Sequence, residues 1–154
     1  MKTWNELAAA TAKWSVPNFG TTSGLGCIAP LLGIGEEIGE LCSAQSPEEE
    51  LDAIGDIGIF LANYCGLSGV DIDAAVGKRF VDTILPNYLH ISVSYGKLLH
   101  ARLKRAQRIR GMDDDIAFRE SESDAVYNII MRMSQIAYTK SAKTFFEITL
   151  DTWN

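Results

Sequence analysis

Apolar residues recur along this chain at intervals of three and four, the period of a helix rather than a strand. Trp4, Leu7, Ala8, Thr11 and Trp14 share one such face and predict a first helix over about 3–14. Val16 to Gly26 is rich in Gly, Pro, Thr and Ser and reads as a loop. A second helix is expected from about Ile28 to Ala44. Ser46-Pro47-Glu48-Glu49 then supplies an N-cap, a first-turn proline and first-turn acids, so a third helix starts there. It runs to about Cys65 and is closed by Gly66 to Gly69. Asp71 caps a fourth helix through Phe80 to Leu85, broken by Pro86-Asn87. A long helix from His90 to Arg110 follows, ended by Gly111. Asp113, Asp114 and Asp115 cap the next one, whose stripe carries Val126, Ile129, Ile130 and Met133. The tail from Phe145 to Leu150 fits helix and strand equally. With the β signal weak throughout and no repeat or linker, the expected fold is all-α: a helical bundle forming a single domain over 1–154.

Composition narrows the function. A chain of 154 residues, 47% hydrophobic and 22% charged, has material for one packed core and is no disordered segment. Its net charge of −6 argues against a nucleic-acid partner. Any phosphate ligand must therefore be met by metal ions or by a local basic patch. No run approaches the ~18–20 apolar residues of a membrane span, and the start lacks the core of a signal peptide. The expected location is the cytoplasm (a host's, if the protein is viral), with no membrane partner. Cys27, Cys42 and Cys65 lie in apolar helical runs without CxxC spacing and are expected to be reduced, buried thiols.

The candidate chemistry sits in the second and third helices. Glu36, Glu37 and Glu40 follow the apolar run 27–34, and Asp52 and Asp56 precede the apolar run 57–62. Carboxylates buried in such surroundings are costly unless a cation or hydrogen bonds compensate them. Residues three and four apart share a helix face, which groups Glu36 and Glu37 with Glu40, and Asp52 with Asp56; Asn63 falls on the same stripe. An antiparallel helix pair brings the two stripes together. Few Lys or Arg residues lie nearby, so a divalent cation is the expected partner, and oxygen-only ligands point to Mg²⁺ or Mn²⁺. Glycines at 35, 39, 55 and 58 punctuate both helices; each costs about 1 kcal/mol relative to Ala, and small residues let helices approach closely. A solvated acidic face is the bland alternative, and the second acidic stripe with its apolar flanks weighs against it.

Other residues are candidates for binding substrate. The helix over 97–110 carries six cations, Lys97, Arg102, Lys104, Arg105, Arg108 and Arg110. Lys104 above all is expected to neutralise phosphates held by the metals, and most of the others to form a solvated basic face. Lys78 and Asp82, one turn apart, fit contact with a nucleotide and an ordinary surface pair equally well. Trp14, Asn18 and Phe19, where a short helix gives way to a Gly-rich loop, suit stacking on and reading a nucleobase, although core packing is the commoner fate of a Trp. His90 and His100 are too isolated for zinc, and no Walker A loop, GxSxG elbow or dinucleotide fingerprint is present.

Glu36-Glu37-Ile38-Gly39-Glu40 followed by Leu51-Asp52-Ala53-Ile54-Gly55-Asp56 resembles the EExxE and ExxD signatures of MazG-like nucleotide pyrophosphohydrolases, the all-α NTP pyrophosphatases. The block from Gly96 to Gly111 is similar to the HxxLKxxQxIR segment of phage-borne members, and Thr152-Trp153 to their C-terminal Trp segment. The resemblance is nearest to viral enzymes that remove dGTP and GTP to supply (d)GMP for 2-aminoadenine synthesis. One position departs: the second motif has Glu where this chain has Ala53, and Asp52 stands one residue earlier. The resemblance implies hydrolysis of a (d)NTP at the α–β linkage to monophosphate and pyrophosphate. It implies two or three Mg²⁺ or Mn²⁺ ions held by Glu37, Glu40 and Asp56 with Glu36 and Asp52 assisting. Glu36 or Glu40 would be the base, with Lys78 and Lys104 on the departing pyrophosphate. It also implies a homo-oligomer, dimer or tetramer, which so many apolar helical faces favour independently. The competing readings are the same chemistry on dUTP, dCTP or non-standard nucleotides, and a non-catalytic helical interaction module.

Overall fold

A computed structural model describes residues 1–19, 26–76 and 88–154. Among these, the chain forms seven α-helices and no strand: α1 (Trp4–Phe19), α2 (Ile28–Ser43), α3 (Pro47–Ser68), α4 (Ile72–Val76), α5 (Tyr88–Gln107), α6 (Asp115–Ser141) and α7 (Phe145–Trp153). α3 is the central helix, packed by α1, α2, α7 and α6, while α5 lies across α6 and α2. No described helix is long and apolar enough to cross a membrane.

The caps explain most of the boundaries. Ser46 Oγ accepts from Glu49 N at 3.1 Å with Pro47 in the first turn, and Gly69 closes α3 in the left-handed region at φ 75°. Asp71 caps α4 by accepting from Ala74 N at 3.0 Å; the expected continuation through Phe80 to Leu85 lies outside the described residues. Asp114 caps α6, accepting from Ala117 N at 2.8 Å. Thr144 and Glu147 form a reciprocal capping box, which resolves the ambiguous tail as helix α7.

Two helices depart from expectation. α1 continues past Val16 and Pro17 to Phe19. Pro17 lacks only one donor in the last turn, and Asn18 Nδ2 covers the Trp14 carbonyl at 2.6 Å, so the proline is tolerated. α5 stops at Gln107 rather than Arg110, because Arg108 (φ 54°) and Arg110 (φ 57°) turn left-handed ahead of Gly111.

The glycines of α3 serve packing. A methyl group on Gly55 would collide with Thr152, and one on Gly58 with Thr149, so α7 seats directly on the α3 backbone. Gly35 faces the Tyr95 ring, whose hydroxyl donates to Leu31 O at 2.6 Å, whereas Gly39 faces open space. Of the cysteines, Cys65 is buried, Cys27 half-buried and Cys42 exposed, since Cys42 falls on the outward side of α2's last turn. The expectation of three buried thiols is corrected accordingly.

Candidate functional site

α2 and α3 form an antiparallel hairpin with Gly33 against Phe60, which sets the two acidic stripes facing one another. Glu37 is 9% exposed, and no described residue donates to it or lowers its pKa. Burial pushes its carboxyl up to about 7, reinforced by Asp56, Glu40, Glu36 and Asp52 in that order. Asp56, half-buried, is also pushed above the usual carboxylate range, first by burial and then by Asp52 and Glu40. All five acids are therefore electrostatically coupled. The expectation of five buried carboxylates is corrected: Glu36, Glu40 and Asp52 are exposed, because they lie at the rim of the hairpin and only Glu37 points inward. Ala53 is 2% exposed in the core, and Asp52 carries the acid one residue earlier.

Among the described residues, no three His, Cys, Asp or Glu side chains stand together as a ready metal cage. The donor chemistry nonetheless fits a hard divalent cation: oxygen ligands only, mutually repelling, with no described Lys or Arg lowering the pKa of Glu37 or Asp56. Glu36, Glu40 and Asp52 are exposed, so their side chains are open to solvent rather than packed in the core.

Beside the acids, a cavity of about 400 Å³ opens between α1, α2 and α3. Trp14, Asn63 and Glu36 line it together with Pro30, Phe60 and Leu67, so Glu36 belongs to both cavity and acid cluster. Asn63 Nδ2 donates to Ser15 Oγ at 2.7 Å, which orients the amide and leaves its oxygen as acceptor. Trp14 is 48% exposed and stands edge-on to Trp153, with ring centroids 5.9 Å apart. Along α3, Glu48, Asp52, Asp56, Phe60, Asn63 and Leu67 form one stripe. It leads from the cavity past Asp56 to a second cleft of about 290 Å³, lined by Glu48, Asp52, Thr152, Lys143 and Asp151.

The remaining candidates fare differently. Asn18 does not line the cavity; its amide is spent on the end of α1. The Phe19 side chain, Lys78 and Asp82 lie outside the described residues. Lys104 Nζ donates to Gln107 at 2.8 Å on its own helix, and neither Glu37 nor Asp56 feels its charge.

The basic block is not simply a solvated face. Arg102 ion-pairs with Glu122, and its Nε meets the Tyr64 hydroxyl at 2.5 Å. Arg105 pairs with Asp115 and donates to the Met112 and Asp113 carbonyls at 2.9 Å each, holding the turn into α6. Glu122 is fully buried and also receives the Tyr64 hydroxyl and Arg119, the latter at 2.9 Å. Sequence reading passed over Glu122. Its signal is an acid on the apolar stripe of Phe118, Ala125, Val126 and Ile129. Lys143 was also passed over, and nothing local in sequence points to it.

Comparison with protein families, with curated proteins and with solved structures finds no match to this chain.

Proposed function

We propose that this protein is a metal-dependent nucleoside triphosphate pyrophosphohydrolase that cleaves a (d)NTP, dGTP or GTP first among them, to (d)NMP and pyrophosphate. The observation that carries the proposal is Glu37: a nearly buried carboxylate whose described neighbours in charge are four more carboxylates, one of which, Glu36, lines an apolar cavity. A divalent cation would offset both the burial of Glu37 and the repulsion among the five acids. Two or three Mg²⁺ or Mn²⁺ ions, when bound, would supply charge neutralisation for the phosphates and acidify the attacking water. Glu37, Glu40 and Asp56 would hold the ions, with Glu36 and Asp52 assisting. Glu36 or Glu40, where not committed to an ion, accepts the proton of the water that splits the α–β linkage. Trp14 presents an aromatic face and Asn63 an amide at the cavity, groups suited to a nucleobase. The preference for guanine rests on the resemblance alone.

Incubating the protein with each (d)NTP and Mg²⁺ or Mn²⁺, and resolving monophosphate from diphosphate, tests the reading. Glu40→Gln and Asp56→Asn are expected to remain folded and to lose about a thousandfold in rate, the equivalent of several kcal/mol of transition-state stabilisation. Full turnover by either variant defeats the assignment. We further propose a homo-oligomer. Leu89, Val93 and Leu103 of α5 are 67, 52 and 53% exposed, with Gly96 and His100 completing a four-three spacing that suits a second helix. Light scattering measures the assembly. That no ready cage stands among the described residues favours one second reading, in which the acids dock a partner's cationic side chains. It predicts no thermal shift with Mn²⁺.

A further inference from the structure

We infer that Lys143, in the turn between α6 and α7, contacts the terminal phosphates of the triphosphate, giving the site a fixed direction. The inference rests on the pyrophosphohydrolase reading above. Asp52 joins two places: it acts on Glu37 and Asp56 in the acid cluster, and it lines the cleft of about 290 Å³ whose other wall carries Lys143. Among the described residues, Lys143 is the sole cationic side chain in that lining. It fills the role that sequence reading gave to Lys104, whose amine is turned to Gln107.

The stripe on α3 supplies the ruler. Eleven residues separate Asn63 from Asp52, about 16 Å at ~1.5 Å per residue. With a flat ring beside Trp14 and Asn63, a triphosphate extended along this stripe runs past Asp56 towards Asp52 and the cleft that holds Lys143. With Glu48, Asp52 and Asp151 in the same lining, the cleft is acidic on balance, so the phosphates enter it as their divalent-cation complex. In the free protein Lys143 Nζ is held by Asp151 at 2.9 Å, with 57% and 64% of their side chains exposed. An exposed pair of this kind holds weakly and exchanges readily for a phosphate oxygen.

The test compares wild type with Lys143→Met, Lys143→Arg and Asp151→Asn. Each protein is titrated with pyrophosphate in Mn²⁺ by calorimetry, alongside steady-state kinetics on the preferred triphosphate. Lys143→Met should weaken pyrophosphate binding and raise KM about tenfold, with monophosphate binding unchanged. Lys143→Arg should restore much of the loss, and Asp151→Asn, which frees the lysine, should bind pyrophosphate at least as tightly as wild type. Unchanged pyrophosphate affinity in folded Lys143→Met overturns the inference while an active wild type leaves the pyrophosphohydrolase reading standing. A wild type inactive on every triphosphate sinks that reading itself.

Discussion

Glu37 and Glu122 are both buried glutamates on helices, and their surroundings are opposite. Glu122 is enclosed by three donors, Tyr64, Arg102 and Arg119, which tie α3, α5 and α6 together. The rings of Tyr64 and Phe118 cover Arg102 at 5.1 Å each, so the ion pair is roofed as well as bonded. Glu37 is surrounded by like charges and has no described donor. A buried charge with its partners built in is part of the fold; one with no described donor is relieved by taking up a proton or, under the proposed function, by a bound cation. The same residue type thus marks a structural joint at one end of α3's neighbourhood and a cluster of mutually repelling acids at the other.

The largest effects should separate the two glutamates. Glu122→Ala leaves Arg102 and the Tyr64 hydroxyl buried without their acceptor and is expected to cost about 3–5 kcal/mol. Glu37→Gln removes a repulsive charge and should leave the metal-free protein as stable as wild type or more so, while abolishing any Mn²⁺-induced rise in Tm. Denaturant unfolding of both variants measures this, and equal destabilisation would erase the distinction.

pH sharpens the contrast. The folded pKa of Glu37, about 7, lies above its ordinary value of 4.5, so the folded state holds a proton that the unfolded chain gives up earlier. The associated stability is complete below about pH 4.5 and is lost as pH rises through 7. The Tm difference between metal-free wild type and Glu37→Gln should therefore open across that interval, the variant gaining on wild type. Saturating Mn²⁺ at pH 8 should restore wild type by occupying the ionised acids. A difference flat with pH would contradict the environment described for Glu37.

The smallest effect carries the comparison to the glycines. Gly58 is pressed by Thr149, and Gly58→Ala should cost about 1–3 kcal/mol through overpacking. Gly39, exposed beside Glu40 with open space around it, should gain about 0.5–1 kcal/mol as Ala. Thermal melts of the two variants should move in opposite directions.

What the sequence made legible was mostly local. Helix starts at Ser46, Asp71 and Asp114 were readable because a cap is a contact between residues three apart. The pairing of Glu37 with Asp56 followed from periodicity and one short connection. Long-range choices were not legible. Nothing in 97–110 tells Arg102, drawn inward by Glu122, from Lys104, left at the surface. Nor does periodicity show that Gly55 and Gly58 face α7 instead of the acids. The extent of burial was also overread, because an apolar flank buries one side of a helix and leaves its rim in water.

The seat of Thr149 and Thr152 on α3 bears on the order of assembly. α2 and α3 are neighbours in the chain and can meet early in synthesis, setting acid against acid before α7 has been made. The C-terminal helix then locks over a hairpin already under electrostatic tension. If the acids hold divalent ions as proposed, ions present at that moment would ease the repulsion, and their concentration during refolding of the denatured chain should change the yield of native protein.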